Sequence, residues 1–183
     1  MRYLVSIGGA SGSIYGVKLL QELNKMEHEI HLVVTESAKK ILQHETTYTY
    51  NIVKAQADVV YDNNDLFAGP ASGSFNLDGM IVIPCSMKTL SAIAHGFGDT
   101  LTSRAATCCL KEGKKLILVL RETPLALSGI TNMLMAKENG AIILPAMPAF
   151  YHKPKKIEDL VDFIVGKVFD QLSLQHTLFK RWK

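Results

Sequence analysis

Cysteine is scarce in this chain, with Cys85, Cys108 and Cys109 alone among 183 residues. They form no C-x-x-C pair, and two adjacent thiols do not easily serve one metal, so neither a disulfide framework nor a cysteine-held zinc organises the fold. Small buried residues in a reducing, cytoplasmic setting are what these thiols suggest. The six histidines, His28, His31, His44, His95, His152 and His176, lack ligand spacing, and no metal site is expected. No Ser-His-Asp order can be argued from spacing. Nothing approaches the roughly 18 apolar residues of a membrane span. Gly8 and Gly9 also end the first apolar run too early for a signal-peptide core. Charge of one sign is lacking too. The net charge of +3, with no dense basic run interleaved with aromatics, argues against nucleic acid. The basic ending KRWK, Lys180 to Lys183, reads as a solvated terminus.

What is present is an alternation. Apolar residues make up 48% and charged residues 20%, which suits one globular domain over residues 1–183. RYLVSI, EIHLVV, MIVIP, KKLILVL and AIILP read as short buried strands. Helical patterns separate them: SIYGVKLLQELNKM, ESAKKILQH, a segment from Ser86 toward His95, TSRAATCCLKEG and LALSGITNMLMAKENG. A long final helix follows, with Ile157, Leu160, Val161, Ile164, Val168 and Leu172 as its stripe. At least five such strands predict an α/β three-layer sandwich with a mostly parallel sheet, Rossmann- or flavodoxin-like. Thr46 to Ser74 is the least regular part. It is expected to carry a small strand near Val59–Tyr61 and otherwise to cover an active site or a subunit contact.

In such a sheet, ligands bind beyond the carboxyl ends of the strands, and polar residues collect there. GGASGS follows the first strand; its glycines allow close backbone approach, and a helix start offers N–H groups to an anion. It is neither a Walker A loop, which needs a following Lys, nor a G-x-G-x-x-G fingerprint. Thr35 follows the second strand, with Glu36 beside it as a possible ribose-binding acid. Cys85, Ser86, Lys88 and Thr89 follow the next; Ser86 is a good N-cap, while Lys88 opposes the helix dipole unless an anion sits there. Arg121 and Glu122 follow LILVL, either as a pair within one loop or as cleft residues. PAMPAFYHKP supplies Tyr151 and cations, with His152 a solvated or capping residue by default. Lys111 and Lys167 lie on helices, where an exposed charge is the plain reading. The residues alone therefore give a phosphate-bearing ligand at the first loop and a second anion site around Arg121, Tyr151 and nearby lysines.

Taken in order, GASGSIYG, PASGSF, PCSMKTLSAIAHG, LTSRAATCCLKEG, LVLRETPL, GAIILPAMPAFYHKP and DLVDFIVGKVFDQL resemble the flavin prenyltransferases of the UbiX type over nearly the whole chain. That resemblance implies a metal-independent transferase. It joins the dimethylallyl group of dimethylallyl monophosphate to N5 and C6 of reduced FMN, and the prenylated FMN goes to a UbiD-type decarboxylase. It also implies a dodecamer, with the final helix and tail, about 156–183, at a subunit contact. Gly9, Ala10 and Ser11, Thr35, Ser86, Met87, Lys88 and Thr89, and Arg121 match the family's FMN contacts, with Ser11 near the reactive edge of the flavin. Tyr151 and Lys167 match its prenyl-phosphate contacts. Glu45, Arg104, Lys111 and Glu122 match polar active-site residues, and Trp182 matches a tryptophan of the C-terminal segment. On this reading Ser11, Glu45, Lys111 and Glu122 are catalytic. Arg104 joins the FMN contacts, and Lys111 and Arg121 join the substrate contacts.

Three positions depart from the pattern. Gly8 stands where the family has Ser or Thr, Lys167 stands where many members have Arg, and Leu66–Phe67 stands where some carry Trp. The alternatives are an FMN-dependent cysteine decarboxylase of the related flavoprotein family and a non-catalytic FMN-carrying decarboxylase subunit. The first uses an Asn-containing motif and a His, which PCSMKT and the early loop lack. The second has no use for another anion site.

Overall fold

A computed structural model describes residues 1–182; Lys183, the end of the expected tail, lies outside the described residues. The chain runs β1 (Arg2–Ile7), α1 (Ser13–Lys25), β2 (Glu29–Val34), α2 (Glu36–Glu45), α3 (Tyr50–Lys54) and β3 (Val59–Tyr61). A 3-10 turn at Gly69–Ala71 leads to β4 (Gly79–Cys85), α4 (Met87–Ala94) and α5 (Leu101–Lys111). β5 (Lys115–Leu120), α6 (Leu127–Glu138), β6 (Ile142–Pro145) and α7 (Ile157–Leu172) complete it. All strand pairings are parallel, in the order β3-β2-β1-β4-β5-β6. This is the doubly wound order of dinucleotide-binding folds. Without the three-residue edge strand β3 it is the flavodoxin order, so both expected likenesses describe one sheet.

Strand alternation divides the core. Tyr3, Val5 and Ile7 of β1 face α1, α2, α3 and α7, whereas Leu4 faces α4, α5 and α6. Both faces are covered, which is why the central strands read as continuous apolar runs. The expected α7 stripe is buried at Val161, Ile164, Val168 and Leu172, but Ile157 is exposed. The small strand in the irregular stretch is present, and the sequence pattern missed the short helix α3 and the 3-10 turn at Gly69–Ala71 within it. The three cysteines are free and buried, and desolvation pushes the Cys109 thiol up to about 12, so it is chemically quiet. No helix among the described residues is long and apolar enough to cross a membrane.

Neighbouring strands β1 and β4 send their helices to opposite faces of the sheet. The chain therefore opens a crevice between them at the carboxyl edge, where open α/β sheets take ligands.

Candidate active site

A cleft of about 350 Å³ lies at that switch point. Gly9, Thr35, Ser37, Ser86, Lys88, Thr89, Asn63, Asp99 and Thr100 are among the residues that line it. Three helix starts converge there. Thr35 accepts from Ala38 N (3.2 Å) at α2, and Ser86 accepts from Thr89 N (3.3 Å) at α4. At α5, Thr100 and Ser103 cap one another's backbone. The positive ends of three helix dipoles thus point at one volume, an arrangement that favours an anion far more than a single N-terminus does. Asn63 ties the 62–65 connection to α5, its side-chain oxygen accepting from Thr102 N (3.1 Å) and Thr102 Oγ1 (2.7 Å).

The first loop departs from expectation. The start of α1 does not offer its N–H groups to a phosphate, because Glu45 takes them: its Oε2 accepts from Gly12 N (2.8 Å) and Ser13 N (3.3 Å). Burial raises the Glu45 carboxyl, but the Ser11 hydroxyl, the Gly12 and Ser13 N–H groups and the Arg121 charge outweigh it, so the group is held below its ordinary value. Gly9 reaches the cleft instead, against Ser37; a Cβ on Gly9 would lie 2.7 Å from that of Ser37. Gly8 has a comparable reason. Its N–H donates to Pro84 O (3.0 Å), and a Cβ there would lie 2.6 Å from the same oxygen.

The structure brings Ser11, Glu45 and Arg121 into one electrostatic cluster, with the Tyr15 phenol also within the field of Arg121. Among the described residues, Arg121 Nε is buried without a partner. Arg121 and Glu122 form no ion pair with each other among the described residues; Glu122 is exposed and accepts from Thr123 N (3.2 Å). Met87, Arg121 and Glu122 line a small cavity of about 60 Å³ beside the cleft. The Ser86–Thr89 turn therefore faces both spaces.

Tyr151 lies elsewhere, in a pocket of about 310 Å³ with His152, Lys153, Lys180, Arg181 and Trp182. Lys167 sits on α7 and pairs with Asp170 (3.0 Å), which also holds Arg181 (2.7 Å). Arg104 and Lys111 are not brought to the cleft. Arg104 Nε donates to Ala71 O (3.0 Å), and Lys111 pairs with Glu112 (2.9 Å) beside Gly73. Helix α5 begins at the cleft and runs away from it, so Lys111, ten residues on, lies about 15 Å down the helix. Leu66 is exposed and Phe67 wholly so, and neither lines any of these three cavities.

Sequence reasoning missed Arg181 and Asp170. The tail looked like a solvated terminus, and a lone Asp on a helix carries no signal. The one signal that could have found them is the adjacent Trp182, a large apolar group in a basic run.

A parallel sheet with a switch-point cleft walled by three helix N-termini defines an α/β protein built to hold a nucleotide-like phosphate compound. The chain matches the flavoprotein family over residues 1–169. It is 49% identical over 182 residues to the flavin prenyltransferase UbiX of Thauera aromatica, covering 100% of this chain and 94% of the relative. Among solved structures, it is similar to a dodecameric FMN-dependent UbiX-like decarboxylase from Escherichia coli O157:H7 (TM-score 0.98, 46% identity, 100% of both chains). It is also similar to AnUbiX (PadA1) in complex with FMN and dimethylallyl pyrophosphate (TM-score 0.98, 47% identity, 100% of this chain and 97% of the other). This chain belongs to the UbiX-type flavin prenyltransferases within the flavoprotein family.

Proposed function

We propose that the protein binds reduced FMN in the switch-point cleft and transfers to it a dimethylallyl group from dimethylallyl monophosphate. The product, prenylated FMN, passes to a UbiD-type decarboxylase in the cytoplasm. The observation that supports this reading is a second region suited to an anion: besides the cleft walled by three helix N-termini, the chain has a cationic pocket around Tyr151. A carrier of FMN alone has use for only the first. The cleft fits FMN in kind, with hydroxyl donors at Thr35, Ser86 and Thr89 and an unpartnered guanidinium nitrogen on Arg121 beside it.

Reduced FMN would supply the nucleophilic N5 and C6. The N5–carbon bond would form as the allylic carbon–oxygen bond of the donor breaks, with its electron pair leaving on phosphate. The C6–carbon bond would form at the expense of the alkene π bond. N5 and C6 would each release a proton, one taken up by the alkene and one by the phosphate. Tyr151 and Lys167 bind and neutralise that phosphate as fixed donors, which removes the need for a divalent metal. Arg121 holds the flavin and turns its remaining donors to the phosphate. Glu122 moves a proton between the flavin and the departing phosphate. Ser11, fixed by Glu45, faces the flavin edge. Holding the flavin and the allylic carbon in contact supplies much of the remaining effect. Arg104 and Lys111 join the site from a neighbouring copy of the chain, because in their own chain Arg104 is turned to Ala71 O and Lys111 lies far down α5. The final helix and tail, about 156–183, serve the same assembly, a dodecamer like that of the Escherichia coli relative.

The test is anaerobic incubation with reduced FMN and dimethylallyl monophosphate, followed by mass measurement of the released flavin. A flavin heavier by one prenyl unit is expected, and Glu122→Gln should lose turnover far more than FMN affinity. Unmodified flavin from the native protein overturns the reading, and unchanged turnover in Glu122→Gln overturns the role of that residue. Running dimethylallyl pyrophosphate in parallel decides which phosphate ester is used.

A further inference from the structure

The chain does not stop at α7. Residues 173–182 turn back along that helix and end against Tyr151, with the Trp182 and Tyr151 rings 5.3 Å apart. Asp170 is the hub of this return. Its carboxylate accepts from Lys167 Nζ (3.0 Å), His176 Nε2 (3.1 Å) and an Arg181 terminal nitrogen (2.7 Å). His176 Nδ1 accepts from Leu178 N (3.3 Å), which fixes the tautomer that donates to Asp170. Burial raises Asp170, but the bonds from Arg181, Lys167 and His176 outweigh it and hold the carboxyl down to about 2.

Gly166 supplies a second observation. A Cβ at this mid-helix position would come 2.5 Å from Phe179 and 2.7 Å from His176. Glycine inside a helix is less favourable than alanine. Here that absence of a side chain gives the returning segment its seat.

We propose that residues 173–182 form a strap that completes the donor-phosphate pocket, with Arg181 as a further phosphate-binding residue and Asp170 as the residue that positions it. This rests on the reading of Tyr151 and Lys167 as donor contacts. One carboxylate orients two cations, Lys167 on α7 and Arg181 near the end of the strap. Lys167 alone offers a point charge. A guanidinium held by one nitrogen keeps donors free for a phosphate, and Arg181 lines the Tyr151 pocket. Lys153 and Lys180 add charge on the same pocket.

Trp182 is the one tryptophan of the sequence, so its emission reports the strap. Native protein titrated with inorganic phosphate and with dimethylallyl monophosphate should change its Trp182 emission, and Arg181→Ala should lose that response. In the transfer assay, Arg181→Ala and Asp170→Asn should raise KM for the donor roughly tenfold or more, with FMN affinity little changed. Arg181→Lys should recover part of the loss. Gly166→Ala, which favours the helix and unseats the strap, should reproduce the KM rise and lower the emission anisotropy of the tryptophan in the ligand-free protein. A native KM in Arg181→Ala, or native emission anisotropy in Asp170→Asn and Gly166→Ala, overturns the strap. Absence of any emission response to phosphate in the native protein overturns it as well. An intact phosphate response without prenylated flavin overturns the transfer reading instead.

Discussion

Glu45 and Arg121 show how single residues here carry two demands at once. Glu45 stands where a phosphate was expected, capping α1 through Gly12 and Ser13 while accepting from Ser11. Its carboxyl is held below the ordinary value when folded, so its stabilising effect is complete above the usual glutamate pKa. The effect fades as pH falls through the lowered value. Glu45→Ala should therefore cost about 1 kcal/mol at pH 7, the range of a lost cap. Urea unfolding at pH 7 and at pH 3 checks this: the gap between native and variant should shrink at the lower pH. An equal gap at both would mean that the charge on Glu45 does not matter. The capping role of Glu45 was hidden because a Gly- and Ser-rich turn before a helix looks the same whether its N–H groups face a ligand or a glutamate from another helix. Gly8 was opaque for a similar reason, since its cause is the carbonyl of Pro84, far along the chain.

At the scale of elements, the alternation of strand and helix was legible because every central strand is covered on both faces and the longer helices, α1, α5 and α7 above all, are apolar along one stripe. The breaks fall where burial is weak. The one-turn helix α3 has only Val53 fully buried, so little pattern marks it. The outer face of α6 carries Leu127, Ile130 and Leu134, and outward apolar residues read like inward ones in a sequence. The caps were clearer, and they permit a separation of stability from binding. Asp caps a helix as well as Ser and adds a charge that the dipole favours, so Ser86→Asp should hold or raise the thermal midpoint of the FMN-free protein. The same charge would face the flavin phosphate, and FMN affinity should fall tenfold or more, about 1.4 kcal/mol. Calorimetry of the FMN-free variant and flavin-fluorescence titration measure the two effects. Native FMN affinity in Ser86→Asp would remove the start of α4 from the binding site.

The whole molecule poses a problem that one chain does not solve. Glu122 opens beside the cleft, whereas Lys111 ends a helix that runs about 15 Å away from it. Both belong to one site only if copies of the chain supply them to each other. The exposed surface favours such an assembly: Leu127, Ile130 and Leu134 on α6, with Met147 and Phe150 after β6, are apolar groups left to solvent in a single copy. Lys111→Ala and Glu122→Gln should each be nearly inactive alone. Refolded together at equal amounts, they should form mixed assemblies in which about a quarter of the junctions join a native Lys111 to a native Glu122. Activity should return toward that fraction of the native level. Adding Leu134→Glu to both chains should abolish the recovery and reduce the particle mass seen by light scattering. Mixed assemblies no more active than their separate parts would place Lys111 outside the reacting centre and leave its ion pair with Glu112 as its whole role.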